Sequence, residues 1–246
     1  MIEILQWTTL AACGLVALAR IPSAVRGKNR TLFYIFALMT LAILLSIEGP
    51  YVAIDRALGG LNVANLILRL VIFAAIYFLG IRITRGFGAT DAYRLITGRI
   101  GMAVLGLTSL TVVAVFLMMD TQGSSVGMTA VASRNAANAP LIAYYGAAGR
   151  AYPAYVSLAL LPAMARAVTS TLPVLVRVGA FLLGTGSVAV ALTLFFPFYP
   201  PDWGATAKFV INYSAVLCFV FGLALIGLAG LLYGKSAPRP KTSTEK

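Results

Sequence analysis

Residues 139–166 read APLIAYYGAAGRAYPAYVSLALLPAMAR, and the fold turns on how this stretch is taken. Apolar and small residues dominate it, and as a helix it is long enough to cross the ~30 Å hydrocarbon core of a bilayer. One guanidinium, Arg150, stands near its middle, flanked by Tyr144, Tyr145, Tyr152 and Tyr155 and by Pro140, Pro153 and Pro162. A full charge at that depth costs about 2.5–3.5 kcal/mol even on lenient insertion scales, so it persists only where protein or a water-filled cavity receives it. Arg150 is therefore the leading functional candidate.

The remainder of the chain has the same character. Of its 246 residues 60% are hydrophobic and only 11% charged, more apolar surface than a soluble core of this size can bury. The expectation is an all-α integral membrane protein, a single transmembrane domain over residues 1–234 followed by a short basic tail over 235–246 that reads as disordered. The absence of histidine removes the commonest metal ligand and the usual general base near neutral pH. Cys13 and Cys218 fall in apolar runs, where a thiol acts as a small hydrophobe. No metal site and no cofactor is expected. The net charge of +12 would point to nucleic acid in a soluble chain; here the bases cluster between apolar segments and point to membrane topology and anionic lipid head groups.

Seven spans can be read in order: Ile4 to Ala19, Leu32 to Ile47, Asn62 to Ile81, Ile100 to Met119, the opening stretch, Leu175 to Phe196, and Ala207 to Tyr233. Glu3 precedes the first apolar run and Arg20, Arg26, Lys28 and Arg30 follow it, the reverse of a secretory signal. Placing Arg82, Arg85, Arg94, Arg99, Arg166, Arg177 and the tail on the same side as that first cluster leaves most acids on the other. A seven-transmembrane-helix bundle with its N-terminus outside and C-terminus cytoplasmic follows, multi-pass in the membrane. Tyr199 and Trp203 suit an interfacial aromatic belt, and the loop 120–138 is an outer connection of undecided structure.

Polar residues line up within the spans. At about 100° per residue, Asn62, Asn65 and Arg69 share one face of the third span. Lys208 and Asn212 share one in the seventh, again in the outer half. On the fifth, the four tyrosines fall within one arc while Arg150 points nearly the opposite way, between Gly146 and Ala154, whose small size leaves room for it. Two readings stand side by side. Arg69 and Arg150 form ion pairs with Glu48 and Asp120 that tie helices together, or an outward-facing polar pocket holds an anion or small polar ligand. The candidate ligand-binding set is Arg150, Arg69, Asn62, Asn65, Asn212, Tyr144, Tyr152, Glu48 and Asp55. Pro153 and Pro162 should each remove a helical hydrogen bond and kink the fifth span. Ala180 with Gly184 offers a small-residue face for close helix contact, while Thr108, Ser109, Thr111, Thr185 and Ser187 should bond their own helical carbonyls.

Enzymatic readings lack their residues. Paired intramembrane aspartates, a Ser with a His, and zinc motifs are all missing. Seven helices in this orientation raise retinal binding, but Lys208 sits at the outer end of its span, where a Schiff base would be misplaced. The helix count also fits small sugar transporters, whose paired Pro-Gln signature is missing.

Glu48 to Leu66, EGPYVAIDRALGGLNVANL, resembles a recurring stretch in a family of actinobacterial seven-helix membrane proteins, carried here by Pro50, Asp55, Gly59, Asn62 and Leu66. The basic loop after the first span and the layout of spans five and six are also similar. The resemblance implies a transporter or an integral membrane regulatory protein; it carries over no catalytic residue, and the short basic tail departs from the longer cytoplasmic region of many members. The leading expectation is a non-enzymatic, receptor-like membrane regulator whose pocket takes a small molecule or lipid, with inner loops and tail contacting anionic head groups or a cytosolic protein partner. Alternatives are a transporter of a small polar or anionic solute and a structural or accessory membrane subunit.

Overall fold

The computed structural model describes residues 2–27, 30–135, 137–198 and 201–233. Tyr199 and the tail Lys235–Lys246 lie outside the described residues, as do the side chains of Asp202, Trp203, Lys208 and Asn212. Every regular element among the described residues is helical: α1 (Ile2–Val25), α2 (Arg30–Leu44), α3 (Glu48–Ala57), α4 (Val63–Gly86), α5 (Thr90–Thr97), α6 (Arg99–Met118), α7 (Thr129–Arg134), α8 (Asn138–Thr169), α9 (Val174–Leu192) and α10 (Pro201–Tyr233). Single 3-10 turns at Val126–Met128 and Thr193–Phe198 precede α7 and α10.

Among the described residues, four stretches are long and apolar enough to cross a membrane: Gln6–Val25, Val63–Gly86, Arg99–Met118 and Val174–Phe196. A fifth follows if α2 and α3, bent by 91° where the expected second span ends, count as one broken span. The second expected span is thus shorter than its apolar run, and the supposed outer loop carrying Asp55 is helix α3. Within α10 the run Leu217–Gly230 is apolar but shorter.

The opening stretch forms α8, which runs through both Pro153 and Pro162 without interruption of the helix. It is not among the four most apolar helices, and the reason is its position. α8 packs against α4, α5, α6, α7 and α9, so much of its surface meets protein. A core of Phe73, Val112, Phe116, Tyr145, Tyr152, Val156, Leu160 and Leu183 closes around it. A helix covered by neighbours needs no continuous apolar exterior. At the other extreme α1 packs chiefly on α2 and leaves Leu15, Leu18 and Val25 exposed. The cytoplasmic-loop reading between the third and fourth spans gains a short element, α5, which buries Ala92 and Ile96.

The tightest helix contact, between α9 and α10, is made by glycines other than the expected pair. A Cβ at Gly179 would lie 2.9 Å from the Gly222 carbonyl oxygen, and one at Gly222 would lie 2.9 Å from that of Gly179. Gly186 meets the Ala215 carbonyl and Cys218 in the same way, whereas Gly184 has only an ordinary contact with Met164. Small residues let two backbones approach, and dispersion contacts then hold apolar helices together. Thr108, Thr111 and Thr185 bond carbonyls of their own helices as expected. Ser187, in contrast, is buried with its Oγ unpartnered. Because the obstacle at Gly222 is backbone, Gly222→Leu should cost about 1–3 kcal/mol through overpacking. Gly230→Leu, with nothing within 4 Å of its added Cβ, should leave stability nearly unchanged. Thermal unfolding of both variants in detergent measures the difference.

Candidate functional site

The site begins where α3 turns into α4. Asp55 is completely buried, and its carboxylate accepts the backbone amides of Asn62 and Ala64, both at 3.0 Å, and the Ser124 hydroxyl at 2.6 Å. The first amides of a helix have no partner within it, and a carboxylate there satisfies both the hydrogen bonds and the positive helix end. Asp55 therefore fixes the start of α4 and pairs with neither Arg69 nor Arg150 among the described residues. A charge already accepting three hydrogen bonds has little left to offer a ligand.

Asn62 takes the left-handed conformation at φ 54°, which asparagine tolerates better than most residues. That turns its side chain toward the loop 120–125. Its Oδ1 accepts from Tyr51 Oη at 2.8 Å and from the Ser125 amide at 3.0 Å. Its Nδ2 donates to the carbonyls of Thr121 and Gly123, each at 2.8 Å. All four hydrogen-bonding positions of the amide are filled. Asn62 is thus a structural hub preceding α4, not a member of a ligand-facing stripe.

The connection between α6 and α8 is held in the same way. Asn138 at the start of α8 donates from Nδ2 to the Asp120 carbonyl at 3.0 Å and accepts the Asp120 amide at 3.3 Å, while Arg134 donates to the Gln122 carbonyl at 2.8 Å. The Asp120 carboxylate accepts only its neighbour Gln122's amide, at 3.4 Å, and is exposed, as is Glu48 in the first turn of α3. Neither acid pairs with Arg69 or Arg150, so the expected interhelical ion pairs do not form among the described residues. Exposed carboxylates keep their hydration at the bundle end, and reaching the half-buried arginines would forfeit it.

One turn into α4, Asn65 is buried and its Oδ1 accepts the Tyr145 hydroxyl at 3.0 Å. Arg69, a turn further, carries its guanidinium 5.4 Å from the centre of the Tyr145 ring. It also lies against Gly149, where a Cβ would stand 2.8 Å from Nη1. Arg150 follows in the next position of α8, its guanidinium 5.6 Å from the Phe196 ring centre, and a Cβ at Gly146 would be 3.2 Å from its Nη1. Both glycines are therefore seats for arginine side chains. The Arg150 Nε is buried with no hydrogen-bond partner, and neither guanidinium has a carboxylate beside it among the described residues. Aromatic faces supply part of the compensation, about 0.5–2 kcal/mol each depending on desolvation.

The tyrosines divide. Tyr152 is buried against Phe73, ring centres 5.5 Å apart, with its hydroxyl unpartnered. Tyr144 is 66% exposed, at the surface of α8, whereas Tyr145 and Tyr152 are buried. Tyr145, absent from the expected ligand-binding set, is the residue that joins Asn65 to Arg69. Its spacing of four from Gly149 puts both on one face, a signal visible in the sequence. Tyr51 and Ser124 had no such signal, because chain closure over many residues brings them to Asn62 and Asp55.

No protein-family model matches the chain, and no curated protein or solved structure is significantly similar to it.

Two substitutions separate backbone from side chain at the hub. Asn62→Gly keeps the left-handed backbone and loses the four side-chain bonds, which should cost about 2–3 kcal/mol by leaving buried partners unsatisfied. Asn62→Ala should cost roughly 1 kcal/mol more, because its Cβ meets the left-handed strain. Thermal midpoints in detergent should rank wild type, Asn62→Gly, then Asn62→Ala.

Proposed function

We propose that this protein is a multi-pass bacterial membrane protein of the receptor or regulator type, non-enzymatic, which takes the anionic group of a small molecule between Arg69 and Arg150. The supporting observation is that these two guanidiniums sit within one turn of each other on the Gly146–Gly149 face of α8 with no acid beside them among the described residues, one of them with an orphaned buried nitrogen. Two neighbouring like charges in a poorly solvated place are unfavourable, and an anion between them relieves both. Bidentate geometry favours a carboxylate, sulfate or phosphate group. Seven spans with an outer N-terminus and cytoplasmic C-terminus, as the actinobacterial resemblance implies, belong to this reading. They put the site below the outer surface, about 10 Å along α4 from Asn62 at the helical rise.

Transport of such an anion is the second reading. It is favoured by Pro153 and Pro162 in the helix that carries Arg150, since each removes a backbone hydrogen bond and gives α8 a place to bend.

Thermal shift of the purified protein against phosphate, sulfate and short carboxylates tests anion binding. Wild type should be stabilised by at least one of them, with Arg69→Gln weakening the response about tenfold or more, the loss of one charge-assisted contact. Arg150→Leu should abolish the response and raise the anion-free stability by about 1 kcal/mol, because an unpaired, partly desolvated charge has been removed. An Arg150→Leu protein that is less stable than wild type without anion, or an anion response unchanged in both variants, would return the arginines to a structural role.

A further inference from the structure

At the opposite end of the bundle, where α2 begins and α4 finishes, a second basic site has no part in the reading above. A cleft of about 340 Å³ is lined by Gly27, Arg30, Thr31, Leu32, Arg82 and Arg85. Three arginines from two helices thus line one concavity. Arg30 donates from Nε to the Ala24 carbonyl at 3.2 Å, and Arg85 from Nη2 to the Tyr93 hydroxyl at 3.3 Å, with its guanidinium 5.5 Å from the Tyr93 ring centre. Both partners are neutral, and none of the three arginines meets a carboxylate among the described residues. The field of Arg85 is strong enough that its hydrogen bond holds the Tyr93 phenol below its usual value.

We propose that this cleft binds the phosphate-bearing head group of an anionic phospholipid. Guanidinium forks match phosphate oxygens, and three arginines with no acid beside them among the described residues more than balance the single negative charge of a phosphodiester. The volume falls in the range of small-molecule sites and exceeds what a bare ion fills, leaving space for the glycerol portion. Leu32 lines the cleft, and just along α2 the Tyr34 ring stacks on Phe78 of α4, centres 5.2 Å apart. Tyr34 and Leu41 are exposed on α2, an apolar track along which acyl chains can lie. A lipid accounts for both the charged cleft and this adjoining surface; a soluble phosphate accounts only for the first. Under the topology proposed above the cleft faces the cytoplasmic leaflet, where anionic lipid concentrates.

The test uses the full-length protein in neutral detergent, titrated with short-chain phosphatidylglycerol, short-chain phosphatidylcholine, glycerol 3-phosphate and inorganic phosphate, with binding read by thermophoresis. Phosphatidylglycerol should bind more tightly than the other three. The double variant Arg82→Gln/Arg85→Gln should weaken it about 30-fold, the effect of two basic residues near a membrane surface. Arg94→Gln/Arg99→Gln removes equal charge from exposed positions outside the cleft and should change it less than about twofold, within ordinary salt screening. Arg85→Lys, which keeps the charge and loses the fork, should fall between and guards against misfolding of the double variant. Equal losses in the two double variants would mean diffuse attraction and overturn the site. Glycerol 3-phosphate or inorganic phosphate binding as tightly as the lipid would overturn the lipid as its occupant.

Discussion

The start of α4 is the constraint from which the polar interior follows. Asp55 takes the two amides that the helix cannot satisfy for itself, and Asn62 turns the chain there while gripping Tyr51 and the loop 121–125. A helix beginning elsewhere would rotate Asn65 and Arg69 by 100° per residue, away from Tyr145 and Gly149. The same contacts hold the loop between α6 and α8, whose ends close through Asn138 and Asp120. One buried carboxylate and one asparagine therefore set the relative register of α3, α4 and the entry to α8.

Around that frame the protein spends its few charges unevenly. Asp55, completely buried, serves backbone amides, and the two interior arginines are left to tyrosine and phenylalanine rings. An interior arranged only for stability would put opposite charges together or replace them with apolar side chains, since unpaired charge is the costliest thing a low-dielectric region can hold. The glycines beneath each guanidinium point the same way, because each gives up helical stability to make space. Positive charge also gathers at the far end of α4, where exposure to water makes it inexpensive. A single helix thus carries arginines of two kinds, one half-buried against its neighbour and others at a solvated edge.

Much of the helical layout is legible from hydrophobic runs and charge clusters. The third, fourth and sixth expected spans correspond to α4, α6 and α9 within a few residues at most ends, since an uninterrupted apolar run between basic or turn residues leaves a helix few other places to stop. The second span was read too long because Leu44 and Ile47 belong to the same apolar run, yet the chain bends between them into α3. Helical spacing placed Asn65 and Arg69 together and Arg150 beside Gly146, all local relations along one helix. It could not separate exposed Tyr144 from buried Tyr145, because an arc on a helical wheel says nothing about which sector a neighbouring helix covers.

The sequence by itself determined the all-helical class, the apolar stretches and the two interior guanidiniums, since these depend on composition and on contacts within a turn or two. Tertiary structure alone decided which polar groups meet. Asp55 reaches Ser124 and Asn62 reaches Thr121 across some sixty-nine and fifty-nine residues of chain, and no periodicity encodes such closures. With Asp55 thus committed and Glu48 and Asp120 left in solvent, Arg69 and Arg150 stand without them, because hydrogen-bond geometry at a helix start selects partners that charge alone would have assigned elsewhere.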